Sequence, residues 1–571
     1  MSEINDRKEF EERADFIDNE DLLLWTVENE HFREIQQQLL AKGAKLLAGP
    51  RGSGKTHHMK VAYYRALKTE TLAIYVSFGK YYHLEPILYK SPRAFHIFHT
   101  WILGKILLGC QQLITDLNDL EGNRHVDLNI VNKFPLLDDF VSQTEKGIIN
   151  EEHAELIARL TILEVEKTLE TLADMLGKKK IILFLDDAAL TLTPDYMREF
   201  FDVFRSLKSS RISPKASVYP GTTEYSPRFH IGEDAEKVDC WPNVEDRSYS
   251  DFMDQFIEKR FPTISNSIPN DIIDLLKYAS FGIPRAFINL IRSFEESKKR
   301  KGSQEAFNAV IDEQAALIKA EYRSYSQKRP QYKTIIGTGD DLFEKITDIV
   351  TEENRAFQKN GRGEKQITIG IQQKQAFIIN ISRMIKFLIE AGLLFPLSSV
   401  KHGSSNKREY ERYIPHLLFL IKKRAFSAGR GFNAGQIVEF IRRESAKHPV
   451  RRTVDNLLDK NRINNIKLDL PPCTHCGKER LSEDQKFCHH CGRQLVEKSR
   501  FEECMKISID DLPLPEWQKH RLKEQTTLKK IEDIISHSDP GSELQKARQV
   551  GPKRSEKIVQ IAKKYVEEFL A

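Results

Sequence analysis

The sequence predicts an α/β core, a parallel sheet flanked by helices and closed by a helical lid, followed by three small modules. Three observations carry this expectation. A short apolar strand runs into the glycine-rich stretch Gly49-Pro-Arg-Gly-Ser-Gly-Lys55-Thr56. A second apolar run, Lys180-Ile-Ile-Leu-Phe-Leu-Asp186-Asp187, ends in two carboxylates. Far downstream, four cysteines form two Cys-x-x-Cys pairs between Cys473 and Cys491.

At 571 residues the chain exceeds what one hydrophobic core usually serves, and roughly three to five domains are expected. An apolar share of 40% is ordinary for a globular protein. No uninterrupted run of about 18 apolar residues stands out, so no membrane span is expected. The first residues, MSEINDRKEFEERADF, are charged throughout and lack the apolar stretch of a secretory signal. Seven cysteines in so long a chain are not a disulfide framework. A reducing cytoplasm is the expected location. The net charge of +5 is unevenly placed: Lys401 to Leu470 holds 16 Lys/Arg against 7 Asp/Glu. Such a basic segment is an electrostatic footprint suited to nucleic acid, though a solvated lysine-rich surface has the same composition.

Gly49 to Thr56 fits G-x-x-x-x-G-K-[ST], with a strand expected at Ala44–Ala48 and a helix at His57–Leu67. Gly49, Gly52 and Gly54 let the backbone wrap a phosphate, and Ser53 adds its N–H to the cradle at the helix start. Lys55 would neutralise the β- and γ-phosphates, and the Thr56 hydroxyl would sit on Mg²⁺. The run ending at Asp186 reads as a strand buried on both faces. Its carboxylates stand at the strand's carboxyl end, where open α/β sheets bind ligands. Asp186 would hold Mg²⁺ through water, and Asp187 would orient or deprotonate the attacking water.

These two motifs resemble the Walker A and Walker B elements of AAA+ and related P-loop ATPases. The resemblance covers roughly Glu20 to Tyr325. It implies a sensor-1 residue after the next strand, in Ser217-Val-Tyr-Pro-Gly-Thr-Thr-Glu-Tyr225, with Thr222 or Thr223 as the candidate. Gly282-Ile-Pro-Arg285 opens a helix and is similar to the sensor-2 region of the origin-recognition and Cdc6-like initiator branch. Arg285 would then touch the γ-phosphate and report its loss to the lid. A similar Gly-x-Pro occurs in STAND signalling ATPases, so both branches stay open. Asp187 stands where most hydrolysing members have Glu, which points to slow turnover and a switch. Arg228 and Arg211 are candidate arginine fingers that the sequence does not separate. The two Walker motifs are unusually far apart, and about 94–176 reads as a helical insertion, with the lid at about 245–325.

Beyond residue 325 the pattern changes. Ile378 to Leu397 has helical apolar spacing and stops at Gly392; a strand, a Gly/Ser/Lys-rich turn and another strand follow. That layout over 326–426 is similar to the winged helix that initiator-type AAA+ ATPases carry at this place. Lys401, Lys407 and Arg408 would form the wing tip, and Arg383 and Lys386 would face a groove or backbone. Contacts of this kind give affinity without sequence preference. Residues 427–470 read as a basic helical linker. Cys473, Cys476, Cys488 and Cys491 suit a tetrahedral Zn²⁺ with no open position, a structural zinc ribbon at 471–497. Residues 505–571 read as short helices; Val550-Gly551-Pro552-Lys553-Arg554 resembles a helix-hairpin-helix, similar to the C-terminal domain of the RNA polymerase α subunit. Gly551 would offer N–H groups to a DNA phosphate, with Lys553 and Arg554 adding charge.

The combined expectation is an ATP- and Mg²⁺-binding AAA+ ATPase, slowly hydrolysing, that acts as an ATP-controlled DNA-binding switch or loader. The alternative is a STAND-like signalling ATPase, for example in antiviral defence, that senses or recruits a protein partner. A homo-oligomer fits either. No nuclease, protease or transferase constellation is visible.

Overall fold

Five strands build the first sheet: β1 (Lys45–Ala48), β2 (Thr71–Ser77), β3 (Lys180–Asp186), β4 (Ile212–Val218) and β5 (Glu236–Asp239). The computed structural model describes residues 8–79, 84–121, 133–187, 193–299, 301–403, 408–427, 433–483, 485–495, 500–512, 514–537 and 539–570. The strand order is β2-β3-β4-β1-β5, and every pair is parallel. β1 and β4 are buried along their whole length, and β3 from its second residue on. This is why β3 reads as an unbroken apolar run. Because all strands point one way, the loops after β1, β3 and β4 meet at one edge. The core has a P-loop ATPase-like α/β fold.

The stretch expected as an insertion forms helices at Ala94–Glu121, Leu137–Glu145, Ala154–Arg159 and Ile162–Met175. The first packs directly on β2 and belongs to the core of the sheet. By length and composition it is apolar enough to cross a membrane, yet 72% of its apolar window is buried inside the protein. Its Trp101, Leu103 and Ile106 are fully buried in that core.

A second sheet has the order β7-β8-β6-β9, from β6 (Ile369–Gln372), β7 (Leu394–His402), β8 (Arg408–Pro415) and β9 (Val450–Arg452). β7 and β8 form the expected hairpin, with His402 opposite Arg408 beside the tip. The helix Ile379–Glu390 precedes it and ends before Gly392, whose φ is +72°. The expected linker is corrected here: β9 pairs in parallel with β6, and Ala434, Val438, Ile441 and Leu457 lie in the same core. The lid helices and this second sheet share one continuous hydrophobic core, from Trp241 through Phe287, Tyr322 and Leu388 to Ile466. The tail, with helices from Arg500–Met505 to Pro552–Leu570, has a small core of its own.

His416, between β8 and the helix Leu417–Lys422, is 1% exposed. Its Nδ1 accepts the Leu418 N–H at 3.2 Å, and its ring lies 4.7 Å from that of Phe281. Burial pushes the imidazole down to about 3. A group whose folded pKa lies below its unfolded one contributes fully above about 6.5 and loses that contribution as pH falls toward 3. Lowering the pH from 7 to 5 is therefore expected to cost about 2 kcal/mol at this site. Thermal melts of the wild type and of His416→Asn, which keeps an acceptor for Leu418, should show a shallower pH dependence in the variant.

Candidate nucleotide site and metal cluster

The P-loop joins β1 to the helix Lys55–Leu67. Gly52 and Gly54 have φ of +78° and +93°, a region that L-residues rarely adopt. A Cβ on Gly52 would also stand 2.8 Å from Arg285 Cβ, so the loop and the lid helix Pro284–Lys298 meet at that glycine. Lys55 is 5% exposed. Its Nζ donates to the carbonyls of Gly49 and Pro50, each at 2.9 Å, and lies 3.8 Å from the centre of the Tyr219 ring. Burial lowers its pKa to about 8. Ser53 Oγ donates to the Pro50 carbonyl at 2.9 Å and sits 3.2 Å from Cys240 Sγ. The ammonium is thus parked against weak partners in the loop that a phosphate can replace.

At the end of β3, Asp186 is 1% exposed and accepts the Tyr75 hydroxyl at 2.8 Å. Asp187 takes a left-handed backbone, φ +55°, uncommon outside glycine and typical of strained functional positions. Its N–H donates to Asp186 Oδ1 at 3.0 Å and to Ser217 Oγ at 2.8 Å, which holds it there. Burial first, and the neighbouring Asp186 charge second, raise the Asp187 carboxyl to about 7.

Gly52, Ser53, Gly54, Lys55, Thr56, Asp187, Tyr219 and Arg285 all line one cavity of about 780 Å³. The same cavity is also lined by Trp25, Val27, Phe32 and Phe256, apolar side chains suited to a base. Glu12, Arg13 and Asp15 line it too, and Glu12 pairs with Arg285 at 4.0 Å. Tyr565 of the last helix also reaches the wall. The donors and carboxylates present fit a nucleotide with a divalent cation.

Some expected residues stand elsewhere. Asp186 is buried behind Asp187 and does not line the cavity. Thr223 Oγ1 accepts the Tyr219 N–H at 2.8 Å and closes its own turn. Thr222 turns to Glu390. The residue that this loop presents to the P-loop is Tyr219, the first after β4. Its position just past a strand end was the available signal. The N-terminal strap of Glu12 to Asp15 carried no motif. Arg211 pairs with Asp174.

The four cysteine sulfurs all lie within 4.8 Å of one another. Two backbone knuckles hold them: Gly477 N–H donates to the Cys473 carbonyl at 2.8 Å and Gly492 N–H to that of Cys488 at 2.9 Å. Both glycines have positive φ, +70° and +68°. The N–H groups of Cys491 and His490 pull the Cys488 thiol down to about 6, favouring the thiolate a metal needs. The spacing and all-sulfur donor set can hold a tetrahedral Zn²⁺. His475, His489 and His490 are exposed beside it.

Of the expected nucleic-acid residues, Lys386, Lys401 and Arg408 are exposed, as are Gly551, Lys553 and Arg554. Lys407 lies outside the described residues. Arg383 is engaged: it pairs with Glu483 of the cysteine module at 3.0 Å and lies over the Tyr332 ring at 5.0 Å. Arg554 lies 5.6 Å from the Trp517 ring and donates to the Gln549 carbonyl at 2.7 Å.

No protein-family model and no curated protein matches the chain. Among solved structures, the chain is similar to the Walker-type ATPase paby2304 of Pyrococcus abyssi: 15% identity, TM-score 0.36, covering 70% of this chain and 99% of that one. It is also similar to the Aeropyrum pernix Orc1 protein, solved in complex with DNA: 13% identity, TM-score 0.29, covering 71% of this chain and 95% of that one.

Metal analysis of the purified chain is expected to find one zinc per chain, lost in Cys488→Ser. A strong chelator should open residues 471–495 to protease while the melt of the α/β core stays in place, since the two share no core.

Proposed function

We propose that the protein is a slow ATPase that works as a nucleotide-controlled DNA-binding switch. The observation that carries this is one cavity in which Lys55, Asp187 and Arg285 converge from the P-loop, the end of β3 and the lid helix. A triphosphate laid along the P-loop would draw the Lys55 ammonium from the Gly49 and Pro50 carbonyls, and Arg285 from Glu12. Mg²⁺ would be held by Thr56 and, through water, by Asp186 behind Asp187. Asp187, with a carboxyl near neutrality, would take the proton of the attacking water. Its shorter reach supports slow turnover. DNA would lie on the basic surfaces of the second sheet and the tail, at Lys386, Lys401, Arg408, Lys553 and Arg554. The zinc ribbon would be structural. The protein would work in the cytoplasm.

A second reading, a STAND-like sensor of a protein partner, is favoured by a different observation. Arg383 is held by Glu483, and Tyr565 of the tail lies at the nucleotide cavity. Those contacts suit a closed form that a partner would open.

Two measurements separate the parts. Lys55→Ala is expected to weaken ATP binding about a hundredfold, as loss of a charge-assisted phosphate contact does. Asp187→Ala should keep binding and lower turnover by a factor on the order of 10² to 10⁴. Tight ATP binding by Lys55→Ala removes the nucleotide reading.

DNA binding to labelled duplex, titrated with salt, should weaken steeply and change with ATP and Mg²⁺. Lys401→Ala and Arg554→Ala should each reduce the log–log salt slope by about 1. ATP binding without any DNA binding moves the weight to the sensor reading.

A further inference from the structure

Glu390 is the last residue of the helix Ile379–Glu390 and is 0% exposed. A carboxylate buried this deeply needs several donors. It finds them in the loop after β4: Oε2 accepts the N–H groups of Gly221 at 2.8 Å and Thr222 at 2.7 Å, and Oε1 accepts the Thr222 hydroxyl at 2.9 Å. That loop begins at Tyr219, whose ring lies under Lys55 Nζ. The Thr223 hydroxyl ties back to the Tyr219 N–H, so Tyr219 to Thr223 form one closed turn.

The fit around this turn is tight. A Cβ on Gly221 would stand 2.9 Å from Phe387 Cδ1 and 3.0 Å from both Glu390 Oε2 and the Lys386 carbonyl. Two residues beyond Glu390, a Cβ on Gly392 would stand 2.8 Å from Ile283 Cδ1 and 4.0 Å from Pro50 Cβ. Ile283 in turn leads into Pro284-Arg285, and a Cβ on Gly52 would stand 3.3 Å from Ile283 Cγ2. The P-loop, the start of the lid helix and the Glu390–Gly392 turn therefore share one contact. A phosphate that draws Lys55 off its carbonyls and off the Tyr219 ring disturbs a turn whose far side is bonded to Glu390. Packed interfaces of this kind pass small shifts between discrete arrangements and do not absorb them.

We propose that Glu390 is a positioning residue of the nucleotide site, supplied by the second sheet's body. Through the Gly221-Thr222 turn it couples nucleotide occupancy to the posture of the helix Ile379–Glu390 and the hairpin behind it. The proposal rests on the nucleotide reading above and adds the residue that carries the signal outward.

Amide hydrogen exchange on the full chain, with and without ATP and Mg²⁺, tests it. In the wild type, ATP should change protection at 219–223 and at 386–394 together. Glu390→Gln keeps the shape and turns one acceptor oxygen into an N–H₂ group facing donors. It should bind ATP within about threefold of the wild type, lose the response at 386–394 and turn over about tenfold more slowly. If that variant does not fold, Thr222→Val removes only the hydroxyl bond and should at least halve the response. A response at 386–394 that stays at its wild-type size in the variants overturns the proposal, even where their melting temperature falls; so does a wild-type response confined to 219–223. A wild type that binds no ATP in the same titration overturns the nucleotide reading, and the coupling with it.

Discussion

The parallel sheet is the constraint on which the rest depends. Five strands running the same way must present all their carboxyl ends at one edge, so three loops from distant parts of the chain are forced together there. The loop after β1 brings Lys55, the loop after β3 brings Asp187, and the loop after β4 brings Tyr219. At the other end of the strands lysines do structural work. Lys215, fully buried, and Lys180 donate to the carbonyls of Leu40, Ala41 and Gly43, tying down the chain that leads into β1. The same residue type thus does different work at opposite ends of one sheet. The carboxyl edge opens onto the cavity lined by Lys55, Asp187 and Tyr219.

Burial gives that edge its chemistry. Taking Lys55 and Asp187 out of water disfavours their charged forms and moves both toward neutrality, to about 8 and about 7. Lys55 rests on two carbonyls and an aromatic face. Glu12 lies beside Arg285 where a terminal phosphate would compete for it.

The helical lid and the second sheet are not separate bodies on a tether. They share a continuous core, and β9, from a segment rich in arginine, completes the second sheet beside β6. The helices from Tyr249 to Lys328 and the hairpin β7–β8 thus pack into one core. The cysteine module is tied in through Arg383 and Glu483, and the tail through the Phe501 N–H, which donates to Glu85 at 2.6 Å.

The sequence by itself determined the parts that depend on local chemistry. A glycine-rich loop can wrap a phosphate wherever it occurs, an apolar run ending in two aspartates needs a sheet buried on both faces, and paired Cys-x-x-Cys knuckles bring their own turns. The P-loop, β3, the hairpin β7–β8 and the cysteine cluster were legible for that reason. The helix Ala94–Glu121 was legible as a helix, but its place in the core was not, because an apolar face does not say what covers it. Tertiary structure alone decided that Tyr219 faces Lys55 while Thr223 closes a turn, since neighbouring residues after a strand look equally polar in sequence. It alone placed β9 beside β6, and brought Glu390 to Thr222 across 168 residues of chain. Contacts between distant segments depend on how whole layers pack, and no local pattern of residue types encodes that.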